Sequence, residues 1–132
     1  AATPPLPTTH PADVPPAGKA GLYVRAAADF SEYTLIYYDA QKQALVFDAT
    51  RSGNQGRPAL ESAPLALGRG EKLELNVFVD NSVVEVFAND RQAICRRVYP
   101  SSNASGGVCL YSEGQTAFKN VEAFEMSPAN FF

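Results

Sequence analysis

The sequence has 132 residues, and its 11 basic against 14 acidic side chains give a formal net charge of −3 at pH 7. This length is that of one ordinary domain, and a hydrophobic fraction of 45% can build a buried core, which excludes a disordered tail. The absence of basic runs speaks against binding to nucleic acid or an anionic membrane, and no apolar stretch approaches the roughly 20 residues of a membrane span.

Residues 1–20 contain six of the 10 prolines and the only histidine, His10. Proline removes a backbone donor and holds the preceding residue extended, so we expect a Pro-rich loop or linker over residues 1–20. The folded domain is then expected over residues 21–132. Because the chain starts at Ala1 without Met or a signal-peptide layout, it is interpreted as a processed, clipped or excised piece.

From Gly21 onward, short runs of β-branched and aromatic residues are broken roughly every eight to twelve residues by turn-forming residues, which is typical of antiparallel sheet. Eight strands are predicted, at 22–27, 33–38, 44–49, 73–79, 83–88, 92–99, 107–111 and 117–126. Residues 51–70 are predicted to be a long connection between sheets. The predicted fold class is all-β, a two-sheet antiparallel β-sandwich that buries the apolar faces between its sheets.

The clearest strand pattern lies in Leu73–Val79, whose odd-numbered positions are all aliphatic and share one face of a pleated strand. Asp80-Asn81-Ser82 supplies turn residues, and Val83–Phe87 returns as the partner strand. These segments predict a hairpin.

Cys95 and Cys109 lie on two predicted strands that we expect to pair around the turn at residues 100–106. A pairing symmetric about residue 102 places the cysteines opposite each other, where Cβ atoms about 4.5–5.5 Å apart permit a disulfide. The alternative is a pair of small buried side chains with free thiols. Asn103-Ala104-Ser105 is an N-glycosylation sequon at the same turn, and both features indicate an oxidising compartment.

The usual signs of an active site are weak. His10, the single histidine, has no ordered partner for a nucleophilic triad, and one His with two Cys cannot readily supply a zinc site. Gly53-Asn54-Gln55-Gly56 lacks the Lys-Ser/Thr of a phosphate loop and is interpreted as a turn. We therefore predict no metal, no cofactor and no catalytic residue of these kinds.

Asp80 and Glu85 flank the predicted hairpin turn, and a retaining glycosidase needs two carboxyls about 5–5.5 Å apart. A hairpin tip is solvated, however, so neither acid gains the raised pKa of a proton donor, and a solvated turn is the better interpretation. The tyrosines Tyr33, Tyr37 and Tyr38 could form a platform on which sugars stack, although strand aromatics more often pack in the core.

One continuous segment, Phe78–Asp90, followed by Arg97-Val98-Tyr99-Pro100, resembles the C-terminal β-sandwich of glycoside hydrolase family 32. The segments Tyr33–Asp39 and Asp48–Gly53 resemble the same domain, and the likeness covers about residues 21–127. That family includes invertases, inulinases, levanases and fructosyltransferases that act on sucrose and fructans.

The resemblance implies an enzyme whose five-bladed β-propeller carries the active site while the sandwich packs against it. Hydrolysis would be retaining, with a carboxylate nucleophile and a carboxylic acid donor. The family's Trp-Met/Leu-Asn-Asp-Pro, Arg-Asp-Pro and Glu-Cys motifs are absent here, so no catalytic residue is carried over. The resemblance implies a sandwich of two sheets with about six strands each. Eight strands are predicted here, so this chain is expected to lack the first strands of the sandwich.

We therefore expect a partner polypeptide that carries the propeller and the first sandwich strands, in an extracellular or vacuolar enzyme that could form oligomers. A second hypothesis is a free-standing, lectin-like carbohydrate-binding module that uses surface tyrosines. A third is a purely structural or interaction domain, because a fold does not determine a function.

Overall fold

The computed structural model describes residues 8–13, 18–53, 60–68, 71–80, 82–101, 105–113 and 117–122, with the first and last of these ranges described by their backbone. In these ranges the chain forms ten strands and no helix that is long and apolar enough to cross a membrane. The strands are β1 (Thr8–Asp13), β2 (Lys19–Ala26), β3 (Thr34–Asp39), β4 (Ala44–Asp48), β5 (Leu60–Pro64), β6 (Leu73–Asp80), β7 (Val83–Ala88), β8 (Gln92–Arg97), β9 (Gly107–Glu113) and β10 (Ala117–Glu122).

These strands form two five-stranded antiparallel sheets. Sheet A has the order β10-β1-β6-β7-β8, and sheet B has the order β5-β4-β3-β2-β9. The all-β, two-sheet antiparallel prediction is confirmed. The predicted hairpin is also confirmed, because β6 pairs with β7 and places Val77 opposite Val86.

The core lies between the inner faces of the two sheets. On β6, Leu73, Leu75 and Val77 are fully buried, as the alternation in this segment predicts. Fully buried side chains of sheet B belong to the same cluster, and they include Leu22, Val24, Ile36, Leu45 and Phe47. Burial of apolar surface from both sheets is therefore what holds the sandwich together.

The prediction of a loop over residues 1–20 is wrong for β1 and for the start of β2. β1 lies inside sheet A between β10 and β6, although it contains Pro11. The register of β1 shifts between Thr9 and Ala12 against β6, and between His10 and Asp13 against β10. Such irregularities let a sheet accept a proline that cannot donate a ladder hydrogen bond.

The predicted connection over residues 51–70 contains a strand that the sequence pattern missed. β5 is one of the two edge strands of sheet B, and its residues alternate between exposed and half-buried. An edge strand needs no apolar run, since one of its sides faces solvent. The chain leaves sheet B after β5 and enters sheet A at β6.

Glu71 links the connection between β5 and β6 to the turn between β7 and β8. Its carboxylate accepts a hydrogen bond from the backbone N–H of Gly68 (2.7 Å), forms an ion pair with Arg91 (2.9 Å) and accepts from the side-chain amide of Asn89 (3.1 Å). The Gly68 N–H first, and then Arg91 and Asn89, lower the pKa of Glu71 to about 2. The charged form of Glu71 therefore stabilises the connection between the sheets.

Replacing this carboxylate should change how stability depends on pH. Because the pKa of Glu71 is lowered on folding, its contribution is present above the ordinary pKa of 4.5 and is lost as the pH falls to about 2. We expect Glu71→Gln to be less stable than the parent chain at pH 7, with the difference closing between pH 4.5 and 2. Thermal unfolding followed by circular dichroism across this range measures the difference.

The control is Glu61→Gln, which removes a carboxylate from the exposed ion pair with Arg96 (3.2 Å). The two ion pairs are similarly exposed, but Glu71 also accepts hydrogen bonds from the backbone N–H of Gly68 and from Asn89. A surface ion pair alone contributes little to stability, so the control should remain close to the parent. A stability difference for Glu71→Gln that stays constant from pH 7 to pH 2 would contradict the role given to the charge.

Candidate functional site

A polar pocket of about 360 Å³ lies at the end of sheet B where three connections meet. The connections are the β2–β3 loop, the loop after β4 and the segment that follows β8. They supply six lining residues, namely Ser31, Glu32, Thr50, Arg51, Gly53 and Ser101. We call this cavity the Glu32 pocket.

Glu32 is the most unusual side chain of the pocket because it is a carboxylate with only 6% of its surface exposed. Its Oε2 accepts hydrogen bonds from the backbone N–H (2.9 Å) and the hydroxyl (2.6 Å) of Ser101, and its Oε1 accepts from the hydroxyl of Ser105. Hydrogen bonds of this kind compensate for the lost hydration of a buried charge. The carboxylate is therefore held in one position in the pocket wall.

The β2–β3 loop is held by its own hydrogen bonds. The backbone N–H of Ser31 donates to Oδ1 of Asp29 (3.0 Å), and the side chain and backbone of Ser31 lower the pKa of Asp29. The N–H of Ala27 donates to the carbonyl of Glu32 (2.9 Å), which closes the loop. Within this loop, Phe30 adopts a φ of 57°, a left-handed backbone conformation that is strained for a bulky residue.

The loop after β4 is tied to Tyr33, the residue just before β3, and to the segment after β8. The hydroxyl of Thr50 donates to Oδ1 of Asp48 (2.6 Å), and the N–H of Tyr33 donates to the carbonyl of Arg51 (2.7 Å). A Cβ on Gly53 would lie 1.9 Å from the carbonyl oxygen of Tyr99. Only glycine permits this close approach between the two loops.

An aromatic strip covers part of the outer face of sheet B, and it consists of Tyr23, Phe30, Tyr33, Tyr37 and Tyr111. Tyr23 contacts the rings of Phe30, Tyr33 and Tyr111 edge-on at centroid distances of 5.4, 5.1 and 5.5 Å. Burial raises the pKa values of Tyr23, Tyr37 and Tyr111, most strongly that of Tyr111, to which Glu113 also contributes. The strip is a packed surface whose tyrosines are half-buried, while Phe30 at its end is exposed.

The predicted tyrosine platform is only partly formed. Tyr33 and Tyr37 belong to the aromatic strip, whereas Tyr38 is 2% exposed and lies in the core. Adjacent strand residues point to opposite faces, so Tyr37 and Tyr38 cannot share a surface.

The predicted pairing of the two cysteine-bearing strands is wrong. β8 pairs with β7 in sheet A, and β9 pairs with β2 in sheet B. Cys95 and Cys109 are exposed free thiols on the outer faces of different sheets, opposite Glu85 and Tyr23 respectively. Packed sheets are about 10 Å apart, beyond the reach of a disulfide, so the candidate Cys95–Cys109 bridge is not formed.

The other predicted positions do not assemble a site. Asn103 lies outside the described residues. Asp80 and Glu85 are diagonal neighbours on β6 and β7, a separation of about 7–8 Å between Cα atoms, and Asp80 is exposed. Among the described residues, no three His, Cys, Asp or Glu side chains are grouped in a way that would hold a metal ion.

Sequence reasoning missed Glu32 as a pocket residue. Its partners Ser101 and Ser105 are 69 and 73 residues away along the chain, so no local pattern joins them. The one usable signal was the polar segment Asp48–Gly53, which supplies three of the six lining residues.

Known proteins match most of the chain. The family described as "Glycosyl hydrolases family 32 C terminal" matches residues 11–125. The sucrose-6-phosphate hydrolase of Zymomonas mobilis is 30% identical over 117 residues, which are 85% of this chain and 22% of that enzyme. The extracellular exo-inulinase of Aspergillus awamori is 33% identical over 109 residues, which are 79% of this chain and 20% of the enzyme.

The fold is similar to those of solved structures. A crystal structure of the A. awamori exo-inulinase matches with a TM-score of 0.65 and 25% identity, covering 84% of this chain and 26% of that one. The carbohydrate binding module CBM66 from Bacillus subtilis matches with a TM-score of 0.58 at 15% identity, covering 87% and 70%, which shows a shared fold alone. The chain spans about a fifth of the length of the enzymes it matches.

Proposed function

The chain belongs to glycosyl hydrolase family 32, whose C-terminal domain it carries, and we propose that it is the non-catalytic sandwich part of a β-fructofuranosidase-type enzyme. The observation that carries this proposal is the family match over residues 11–125, together with relatives of which the chain covers only 20–22%. The catalytic motifs that the family resemblance implies do not occur in the sequence. The chemistry is therefore assigned to the part of such an enzyme that this chain does not contain.

The proposed reaction is retaining hydrolysis, or fructosyl transfer, at the β-fructofuranosyl bond of sucrose or a fructan. A β-propeller on another polypeptide would bind the substrate and supply the nucleophile and the acid. The sandwich would pack on this partner and stabilise it. We propose an extracellular or vacuolar location, which the extracellular exo-inulinase and the sequon at Asn103 support.

One corner of the sandwich that the described residues leave open supports the proposal of a partner polypeptide. Leu110 on the edge strand β9 lies directly opposite Leu22, so both side chains are on the core face of sheet B. Leu22 is 1% exposed, yet Leu110 is 44% exposed, and Val108 on the same face is 42% exposed. A core-facing edge strand left this open is expected to be covered by strands from elsewhere.

The decisive experiment is native mass spectrometry of the isolated protein, combined with assays on sucrose and inulin before and after co-purifying polypeptides are removed. We expect a larger partner that is active while associated and loses stability or activity when this chain is removed. A soluble, cooperatively folded 14.2 kDa monomer without any partner would contradict the proposal.

The contact can be located with two matched variants, Leu110→Asp and Leu60→Asp. Both leucines lie on edge strands of sheet B, and Leu60 is even more exposed, at 66%. We expect Leu110→Asp to dissociate the partner while Leu60→Asp leaves it bound, because only Leu110 lies on the uncovered core face. Equal behaviour of the two variants would reject β9 as the contact.

The alternative function is a free-standing carbohydrate-binding module. The same experiment separates the two hypotheses, because a module would occur alone, without activity, and would bind fructan. Its strongest support is the polar Glu32 pocket at the end of the sandwich.

A further inference from the structure

We propose that the partner polypeptide adds an extended strand to the free edge of β9, with apolar side chains at every second position. Residues 107–112 of β9 are uncharged, and the two side chains that face the core, Val108 and Leu110, are 42% and 44% exposed. The inference rests on the proposed function, because it names how the partner is bound and the chemistry of the segment that binds.

The edge of β9 differs in charge from the other sheet edges. Sheet A ends in β10 and β8, and sheet B ends in β5 and β9. Each of the other three edge strands has a charged residue at an interior position: Glu61 in β5, Arg96 in β8 and Lys119 in β10. Charges on an edge oppose pairing with a further strand. In β9 the charge comes only at the last residue, Glu113, which forms an ion pair with Lys19 (3.4 Å).

The edges of β5 and β8 also close each other. Arg96 pairs with Glu61 (3.2 Å), and the side-chain amide of Gln92 on β8 donates to the carbonyl of Pro64 on β5 (2.9 Å). These contacts join the two sheets along that side of the sandwich. β9 pairs with β2 along one side, and no strand in the described ranges pairs with its other side. A strand can therefore be added at β9.

The backbone of this edge requires an extended partner. Along an edge strand, unpaired N–H and C=O groups point away from the sheet, and a neighbouring strand pairs with them at a distance of about 4.8 Å. A helix cannot do this, because its own backbone groups are hydrogen-bonded within the helix. The part of the partner that meets β9 is therefore expected to be a strand.

The side chains of β9 determine the composition of the added strand. Val108 and Leu110 face the core, whereas Cys109 and Tyr111 face outwards. Residues directly opposite each other on neighbouring strands have Cβ atoms about 4.5–5.5 Å apart, so every second partner residue would cover the exposed core face. A charge at these positions would be buried without a partner, so they are expected to be apolar. The alternate residues, beside Cys109, can be polar.

Hydrogen exchange of the complex as isolated, and of the chain after the partner is removed, tests strand addition. We expect the amides of β9 to exchange about tenfold or more slowly in the complex, because each gains a backbone hydrogen bond there. The amides of β8 are the control and should exchange equally in both samples. The amides of β6, in the middle of sheet A, show whether the freed chain is still folded.

Two lysine variants on β9 separate strand addition from docking on the outer face, and they are compared as complexes, without freeing the chain. Val108→Lys directs a charge towards the core, and Cys109→Lys places the same side chain on the outer face. Both positions are exposed, so both variants should keep the parent's melting temperature. We expect Val108→Lys to weaken the complex about tenfold or more and Cys109→Lys to stay within about threefold, as measured by dissociation on dilution.

Strand addition is overturned if the β9 amides of a folded freed chain exchange as they do in the complex, or if β8 is protected to the same degree. Equal weakening by the two lysines, or greater weakening by Cys109→Lys, also overturns it. A partner that co-purifies alongside any of these results leaves the proposed function intact. If no larger polypeptide accompanies the chain, the proposed function fails and strand addition fails with it, so the two failures are distinguishable.

Discussion

Val77→Asp is expected to lower the free energy of unfolding by about 4 kcal/mol or more, because it puts a carboxyl group where no polar group can reach it. Val77 is 0% exposed, and its strand β6 lies between β1 and β7 in sheet A. A domain of this size has a total stability of about 5–15 kcal/mol, so the variant should be largely unfolded in mild denaturant. Urea unfolding followed by circular dichroism measures the loss.

The control for added charge is Leu60→Asp, on the solvent-exposed edge strand β5, where the leucine is 66% exposed. Its cost should stay within about 0.5 kcal/mol, as is usual for surface positions. If Val77→Asp unfolded at the same urea concentration as the parent, Val77 would have to lie outside the core, and the β6–β7 register would be rejected.

Gly21→Ala is expected to destabilise the protein by about 3 kcal/mol, the upper part of the range for overpacking. A Cβ on Gly21 would lie 1.9 Å from the carbonyl oxygen of Ile36 and 2.6 Å from Cα of Tyr37, both of which are backbone atoms of β3. The backbone cannot rotate away as a side chain can, so β2 and β3 would have to separate. Thermal unfolding and urea midpoints give the cost.

The glycine also shapes the aromatic strip. Gly21 pairs with Tyr37 on one side and Tyr111 on the other, and these two rings meet at 5.7 Å between centroids. Aromatic side chains on neighbouring strands can cover a glycine in this way and offset the apolar surface it lacks. Fluorescence of the strip's tyrosines should therefore change in Gly21→Ala.

Gly106→Ala is the matched control, because a Cβ at Gly106 has no atom within 4 Å. It makes the same chemical change without a clash, so its stability should equal or slightly exceed that of the parent. Equal stabilities of the two alanine variants would show that β2 and β3 are farther apart than described.

The strands that the sequence predicted well are those whose signal is local. Val83–Ala88 is β7 from end to end, and Leu73–Val79 matches β6 to within one residue. Strict alternation and the turn-forming residues are contained in about fifteen consecutive residues, and nothing elsewhere in the fold overrides them. Asp80, predicted as a turn residue, is the last residue of β6 and pairs with Val83. The family resemblance rested largely on the same hairpin, and it is confirmed by the match over residues 11–125.

The strands that were missed depend on partners far along the chain. Ten strands occur in the described ranges against eight predicted, and the two additional ones are β1 and β5. β1 contains Pro11, and β5 is an edge strand with polar residues, so each lacks the pattern of an independent strand. Each forms because a neighbouring strand offers its hydrogen-bonding edge.

By itself, the sequence determined the fold class, the β6–β7 hairpin and the family, since these depend on side-chain alternation, turn residues and motif order within short segments. The tertiary structure alone decided that β8 and β9 belong to different sheets, which separates Cys95 from Cys109, and that Glu32 meets Ser101 and Ser105 to form a pocket. The physical reason is that these contacts join residues that are distant in the chain. Local patterns report which face of a strand is apolar, but only the packing of the two sheets determines which loops meet at the end of the sandwich.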